Sequence, residues 1–237
     1  MEYEKHFESM DDIVELYPAR PSIISAFGKK GSGKSTWISA LYDSWPYDKI
    51  AIDVNGDIDT GSAPAILISD PLPDYFPLFS DKEPKNLHYK ADPGSPTYRE
   101  DLDHALSLVL FPQDKRVLVN LDEIGEFTTG NATGPNLRRL LMQSRHYNAS
   151  ALLAGPRPMD IDPLIIGQSD LIAVYDLPNP ADQERIAKII GYPPARFREA
   201  VLEMRSLGPH HYILYTTAAL SKTGRAELAI CDPIELD

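Results

Sequence analysis

The chain has 237 residues, 43% of them hydrophobic and 24% charged, proportions that suit one sizeable globular core and exclude a disordered polymer or a fibrous repeat. Its 35 acidic side chains outweigh 23 lysines and arginines, for a formal net charge of −12 at pH 7. That balance excludes a surface broadly coated for nucleic acid, since such affinity comes from Lys and Arg neutralising phosphates, so any such contact must be local.

Residues 1–20 read as an N-terminal extension that is acidic and lacks the basic start and apolar core of a secretion signal. Residues 22–27 form a short apolar run that stops at Gly28, the pattern of a buried strand feeding a glycine loop. From Lys34 onward Ile38, Leu41, Tyr42 and Trp45 fall at i, i+3, i+4 and i+7, one face of a helix that Pro46 ends. Residues 50–54 read as a strand. The segment 55–98 holds seven prolines, which leaves room for little regular structure beyond a short strand at 66–68.

Leu102, Ala105, Leu106, Val109 and Leu110 restore helical spacing, and residues 117–121 form a strand leading into Asp122-Glu123. A polar, glycine-rich loop spans 125–134. Leu137, Leu140 and Leu141 predict a helix to about His146, followed by buried strands at 149–154 and 171–175. Asn179-Pro180 is an N-cap with a first-turn proline for a helix that Gly191 closes. Phe197, Val201 and Met204 predict one more helix, and residues 212–216 a late strand. No apolar run approaches the ~20 residues of a membrane helix, and the lone Cys231 leaves neither an intrachain disulfide nor a cysteine pair for zinc. The expectation is one α/β domain over 1–237, held in a cytoplasm with no membrane span. Its strands alternate with helices, which predicts a mainly parallel sheet flanked by helices with ligands at the carboxyl ends of the strands.

Gly28, Lys29, Lys30, Gly31, Ser32, Gly33, Lys34 and Ser35 match the phosphate-binding P-loop pattern G-x-x-x-x-G-K-[ST]. Glycines let backbone N–H groups wrap phosphates closely, and the following helix N-terminus favours anions. In this pattern Lys34 reaches the β- and γ-phosphates, Ser35 ligates Mg²⁺, and backbone N–H groups from Lys30 to Thr36 hold the phosphate chain. Lys29 and Lys30 contribute backbone, with side chains read as solvated charge. The apolar strand ending at Asp122 supplies a carboxylate that holds Mg²⁺ through water, and Glu123 then orients or deprotonates the attacking water. Glu126 is the weaker substitute. Asn120 shares a strand face with Asp122, so it is either a nucleotide-facing sensor or, more plainly, a hydrogen-bonded core asparagine. The cluster at 75–79 reads as core cover or a partner surface, and His210-His211 as structural or solvated.

Together with Leu137-Arg138-Arg139-Leu140-Leu141-Met142-Gln143-Ser144-Arg145-His146, the strand after it, Arg157-Pro158 and Leu207-Gly208-Pro209, these motifs resemble the FtsK/HerA superfamily of DNA-pumping ATPases. Within it they are most similar to the genome-packaging ATPases of tailless, often membrane-containing, double-stranded DNA viruses. The resemblance implies a three-layer P-loop NTPase fold of the RecA/ASCE kind. It also implies ATP and Mg²⁺ as cofactors, and a homo-oligomeric ring, pentamer or hexamer, around double-stranded DNA. Capsid or portal-vertex proteins are implied partners, and the host cytoplasm and the virion packaging vertex the places of action.

The resemblance further implies an arginine inserted into the neighbouring subunit's ATP site. Arg145 matches the family position, with Arg138, Arg139 and Arg157 as alternatives. The family's polar γ-phosphate sensor is missing from Ala154-Gly155-Pro156-Arg157-Pro158, which leaves Asn120, Gln143 or Ser144 as replacements. Residues 128–134 and Lys82, Lys85 and Lys90 are the candidate DNA contacts. A small-molecule or nucleotide kinase, and a nucleotide-controlled assembly adaptor with slow hydrolysis, are the competing readings.

Overall fold

The first strand, β1 (Ile23–Phe27), is buried along its whole length. Ile23 and Phe27 pack into one apolar cluster and Ile24 and Ala26 into another, as in a strand covered on both faces. The computed structural model describes residues 20–54, 66–68, 85–107, 109–110, 115–129, 132–221 and 224–234.

After β1 come α1 (Lys34–Ser44), β2 (Asp48–Asp53), β3 (Ile66–Ile68), β4 (Asn86–Lys90), α2 (Tyr98–Ser107) and β5 (Val117–Leu121). A 3₁₀ turn (Ile124–Phe127) and a short hairpin, β6 (Thr128–Thr129) with β7 (Ala132–Thr133), lead to α3 (Pro135–Gln143) and β8 (Ala149–Gly155). Then follow a second 3₁₀ turn (Pro158–Asp160), α4 (Pro163–Gln168), β9 (Leu171–Val174), α5 (Pro180–Ile189), α6 (Pro194–Leu207), β10 (Tyr212–Thr216) and β11 (Glu227–Cys231).

One nine-stranded sheet carries the order β11-β10-β9-β1-β8-β5-β2-β4-β3. From β9 to β3 every neighbouring pair is parallel, while β10 and β11 are antiparallel at one edge. Helices α2 to α6 contribute to one apolar cluster, and α1 packs on the opposite face through Trp37, Ile38, Leu41 and Tyr42. The result is the expected three-layer arrangement with a mainly parallel centre. Only β8 separates β1 from β5. Their carboxyl ends therefore lie about two strand spacings, roughly 10 Å, apart on one edge, a gap on the scale of a phosphate chain.

Several elements depart from the pattern read in the sequence. Helix α2 stops at Ser107, and the buried Val109 and Leu110 sit in a turn closed by bonds to Leu106 and Ser107 carbonyls. Helix α3 stops at Gln143, because residues 144–148 turn sharply and Asn148 adopts a positive φ of 52°. Strand β4 lies inside the proline-rich segment, recruited by pairing with β2. Helix α4 and the edge strand β11 were not predicted either. The aromatic cluster at 75–79 lies outside the described residues. Among those residues no helix is long and apolar enough to cross a membrane.

Helix α3 is aimed by a cap borrowed from α2. Gly134 at its N-cap offers no side chain, and Asp103 accepts from the N–H groups of Asn136 (3.1 Å) and Leu137 (3.3 Å) instead. Its own carbonyl receives the Asn136 amide at 3.0 Å. A side chain on Gly134 would meet Asp103 Oδ1 at 2.6 Å, so glycine there makes room for the cap. Replacing Asp103 with Ala should lower stability by about 1–2 kcal/mol, the ordinary worth of a cap, as measured by urea unfolding.

Candidate functional site

The glycine loop sits between the carboxyl end of β1 and the start of α1. Gly28 has a φ of 156°, and a Cβ there would lie 2.6 Å from the Tyr175 Cβ and 2.9 Å from Ser32 Oγ, so no side chain fits. The first intrahelical bond of α1 runs from Trp37 N–H to the Gly33 carbonyl at 3.1 Å. The N–H groups of Gly33, Lys34, Ser35 and Thr36 thus precede the ladder. No side chain caps this end and no acid stands in its first turn, so the positive end of the helix dipole is open to an anion. Ser32 N–H turns back to the Lys29 carbonyl at 3.3 Å, and the buried Ser32 Oγ has no partner.

The side chains of the loop divide the work. Lys34 Nζ donates to the Lys29 carbonyl at 3.1 Å, which holds the ammonium over the cradle. Lys29 is exposed and forms an ion pair with Asp176 at 2.6 Å. Asp176 also receives Arg205 at 2.7 Å, and Lys30 is exposed.

Asp122 and Glu123 follow β5 at the same edge of the sheet. Burial pushes the Lys34 ammonium below its ordinary pKa, an effect opposed by the negative charges of Glu123 and Asp122. Burial raises the Glu123 carboxyl, Asp122 raises it further, Lys34 opposes the shift and Glu126 adds to it. These charges therefore act on one another across the gap between the two strand ends. Glu123 stands in the left-handed region with φ 55° and ψ 61°, a conformation costing a non-glycine residue about 1 kcal/mol or more. Raising a carboxylate's proton affinity shifts it in the direction that suits a general base. Glu126, the weaker substitute, lies 3.9 Å from Arg99.

Asn120 is 3% exposed on the α1 face of β5, and its Oδ1 has no partner. The core position expected of Asn120 is observed, with its carbonyl oxygen left unpartnered. By register Asn120 sits beside Ala51 of β2 and Leu152 of β8, so its vacant acceptor lies under the helix that carries the P-loop. The residue before Arg157-Pro158 is Pro156, whose ring offers no polar group, and at Gly155 ahead of it a Cβ would come within 2.8 Å of Ile124 Cγ2. Gln143 and Ser144 lie at the far end of α3, where Gln143 Oε1 accepts from Tyr147 and the Ser144 carbonyl from Ala149. Neither approaches the P-loop edge of its own chain.

The arginines separate by partner. Arg139 donates to the Tyr147 hydroxyl at 2.9 Å and stacks on its ring, and Arg157 pairs with Asp182 and Asp160. Arg138 and Arg145 are exposed and make no such pairing among the described residues. Arg145 precedes the amino end of β8, about 20 Å from the phosphate edge at ~3.3 Å per strand residue, so it cannot serve its own chain's site. Of the candidate DNA contacts, Lys90 is exposed and Lys85 half-buried, and Thr128 is buried with its carbonyl held by Arg99. Lys82 and the hairpin tip lie outside the described residues.

Two groups beside the site carried no motif. Buried Asp53 and His88 meet at 2.9 Å on adjacent strands, one register step from Asp122. His210, read as structural or solvated, lines the P-loop cavity with Tyr175, Pro233 and Ile234. A polar residue at a strand end was the only signal for the first, and the second had none.

With the glycine cradle, an open helix N-terminus and an acid pair at the end of the next strand but one in a mainly parallel sheet, the chain has a P-loop NTPase fold. No protein-family model and no curated protein sequence matches it. Among solved structures it is similar to the genome packaging NTPase B204 of Sulfolobus turreted icosahedral virus 2 in complex with AMP. The TM-score is 0.65 at 21% identity, over 93% of this chain and 100% of that one. The complex of the same protein with ATP-gammaS gives 0.64 at 20%, over 93% and 100%. B204, the DNA-packaging ATPase of Sulfolobus turreted icosahedral virus, gives 0.58 at 17%, over 91% and 100%. At this identity the shared property is the fold, and it is the fold that the resemblance read from the sequence implied.

The raised Glu123 carboxyl fixes a pH dependence. Its contribution favours the native state fully below the ordinary value of 4.5 and is lost as pH rises through the raised native value. Glu123→Gln removes the charged form's penalty, so by calorimetry its Tm should exceed the parent's at pH 8, with the difference closing toward pH 4.

Proposed function

We propose that the chain is an ATP-hydrolysing motor that translocates double-stranded DNA, packaging a viral genome into a preformed capsid. The observation that carries the reading is the glycine loop at the uncapped start of α1 with Asp122 and Glu123 directly after β5 at the same edge of the sheet. Likeness of fold to packaging NTPases over the full length of those chains supports the motor assignment.

In this reading the N–H groups of the α1 terminus and the Lys34 ammonium hold the β- and γ-phosphates. Glu123 accepts a proton from water as its oxygen bonds to the γ-phosphorus. The bond from that phosphorus to the bridging oxygen breaks, and ADP and phosphate leave. The residues fit a magnesium ion: the exposed Ser35 hydroxyl would ligate it and the half-buried Asp122 carboxylate would hold it through water. No group of three or more His, Cys, Asp or Glu side chains that could hold a metal occurs among the described residues, in keeping with a cation that relies on phosphates and water. When bound, the ion would neutralise charge building on the phosphate oxygens. Homo-oligomeric assembly, pentameric or hexameric, would bring Arg145 of one subunit to the next subunit's site, where its charge stabilises the transition state. Such a ring would act in the host cytoplasm at the packaging vertex, against capsid or portal proteins.

Phosphate release from ATP should rise on adding long double-stranded DNA at low salt. Glu123→Gln should cut the rate by about 10²–10⁴-fold, the usual worth of a general base, and Lys34→Ala should abolish it. Hydrolysis indifferent to DNA would sink translocation while leaving the nucleotide chemistry standing.

Arg145→Ala should lower the rate by about 10³-fold or more, as removal of a trans arginine does. Mixing Arg145→Ala with Glu123→Gln subunits should then restore part of the activity, because some sites receive an intact Glu123 and a neighbour's intact Arg145. If the mixture stays as inactive as its components, Arg145 does not act in trans.

A further inference from the structure

Glu123 stands at the head of the 3₁₀ turn Ile124–Phe127 with a left-handed backbone, and a non-glycine residue stays in that region only where its surroundings over-determine it. The turn is therefore the device that aims the carboxylate. At its head the Glu126 N–H donates to the Glu123 carbonyl at 2.9 Å. At its foot the Thr128 hydroxyl donates to the Gly125 carbonyl at 2.9 Å, and the Thr128 N–H donates to the same oxygen. The two faces of the turn are held differently. On the inner face Ile124 and Phe127 are buried in the core. The outer face borders an open cavity of about 600 Å³ lined by Arg99, Glu100, Asp103, Glu126 and Asn136 among others, so core packing does not hold it from that side.

Arg99, in the first turn of α2, spans that side. Its Nη1 donates to the Thr128 carbonyl at 3.2 Å, and its Nη2 lies 3.9 Å from Glu126 Oε2. Both members of the ion pair are substantially exposed, so solvent screening leaves it little weight. The bond to the carbonyl of the buried Thr128 is the stronger contact, because a charged donor meets an acceptor on a residue shielded from water. Helix α2 is itself fixed in three ways. Leu102, Ala105 and Leu106 are buried, Asp101 accepts from the hydroxyls of Ser95 at 3.0 Å and Thr97 at 2.9 Å, and Asp103 caps α3. Arg99 thus projects from a seated helix onto the foot of the turn that begins with Glu123.

We infer that Arg99 is a positioning residue for Glu123: it anchors the foot of the turn to α2 and so holds the carboxylate where it meets the attacking water. This rests on the hydrolytic reading of the site and adds to it a side chain that lies outside the phosphate cradle. Displacing a reacting group by about 1 Å can cost on the order of 10²-fold in rate, so a tie that matters little to folding matters more to turnover. Two consequences separate this role from a merely structural one. Loss of Arg99 acts on kcat and not on nucleotide affinity, and it acts only while Glu123 is present to be misplaced.

The test follows phosphate release from ATP by the full chain, in steady state and in single turnover. Arg99→Ala should lower kcat at least tenfold and leave KM within twofold. Arg99→Lys keeps one charged donor for the Thr128 carbonyl and should recover at least threefold of that loss. Glu100→Gln, which alters the neighbouring charge on the same turn of α2, should keep kcat within twofold. In the Glu123→Gln background, Arg99→Ala should change the single-turnover rate by less than twofold, because residues that act as a unit are not additive. An Arg99→Ala kcat within twofold of the parent's overturns the proposal, as does a loss confined to KM. A further tenfold fall in the Glu123→Gln background, or an equal loss in Glu100→Gln, would mean a general disturbance of α2 and overturn it too. A parent chain that releases no phosphate overturns the hydrolytic reading and this proposal with it, whereas an active parent indifferent to Arg99 overturns this proposal alone.

Discussion

The contact between Gly28 and Tyr175 is the constraint on which the site depends. With no side chain on Gly28, the chain after β9 lies directly against the start of the glycine loop. Tyr175 N–H donates to the Phe27 carbonyl at 2.8 Å, and Lys29 N–H to the Asp176 carbonyl at 3.0 Å. These bonds extend the pairing of β1 and β9 past the end of the strands and fix where the loop leaves the sheet. Tyr175 then passes the position on through its stack with Tyr212, so the turn ahead of β10 is placed relative to the cradle. The arrangement is a lamination of backbone and rings, in which each layer is set by the one beneath it.

The electrostatics at the opposite side of the gap work against folding. Lys34 is partly desolvated, Glu123 is held above its ordinary pKa, and the Glu123 backbone is in a conformation that non-glycine residues avoid. None of these features stabilises the free protein. They persist because the surrounding core over-determines them: β5 is buried on both faces, and Ile124, directly after Glu123, is fully buried against Gly155. Such local cost concentrated in one cleft is characteristic of a reactive site. On the α1 face of β5, the buried Asn120 Oδ1 is left without a partner.

The far side of the molecule has a different character. Helix α3 is capped from α2 by Asp103 and ends in a tight turn before β8. This leaves Arg145 beside the amino end of β8, away from the chain's own phosphate edge. Arg139 and Arg157 are drawn into local pairs with Tyr147, Asp160 and Asp182. An overall charge of −12 makes Arg138 and Arg145, exposed and with no ion pair among the described residues, informative, since acidic side chains are plentiful.

The sequence by itself determined the parts of this protein that depend on local chemistry. The spacing of Gly28, Gly33, Lys34 and Ser35 specifies the turn and the helix start, because only certain backbone angles and an open helix end make that cradle. The stripe of Ile38, Leu41, Tyr42 and Trp45 set the buried face of α1, and the apolar run into Asp122 set β5. What only the tertiary structure decided depends on contacts between segments distant in the chain. Strand β4 exists because β2 offers it an edge, although its own composition signals little. The commitment of Lys29 to Asp176 and the approach of His210 to Gly33 bring together residues more than a hundred positions apart. Periodicity reports which face of an element is buried, and it carries no information on which distant side chain arrives to bury it.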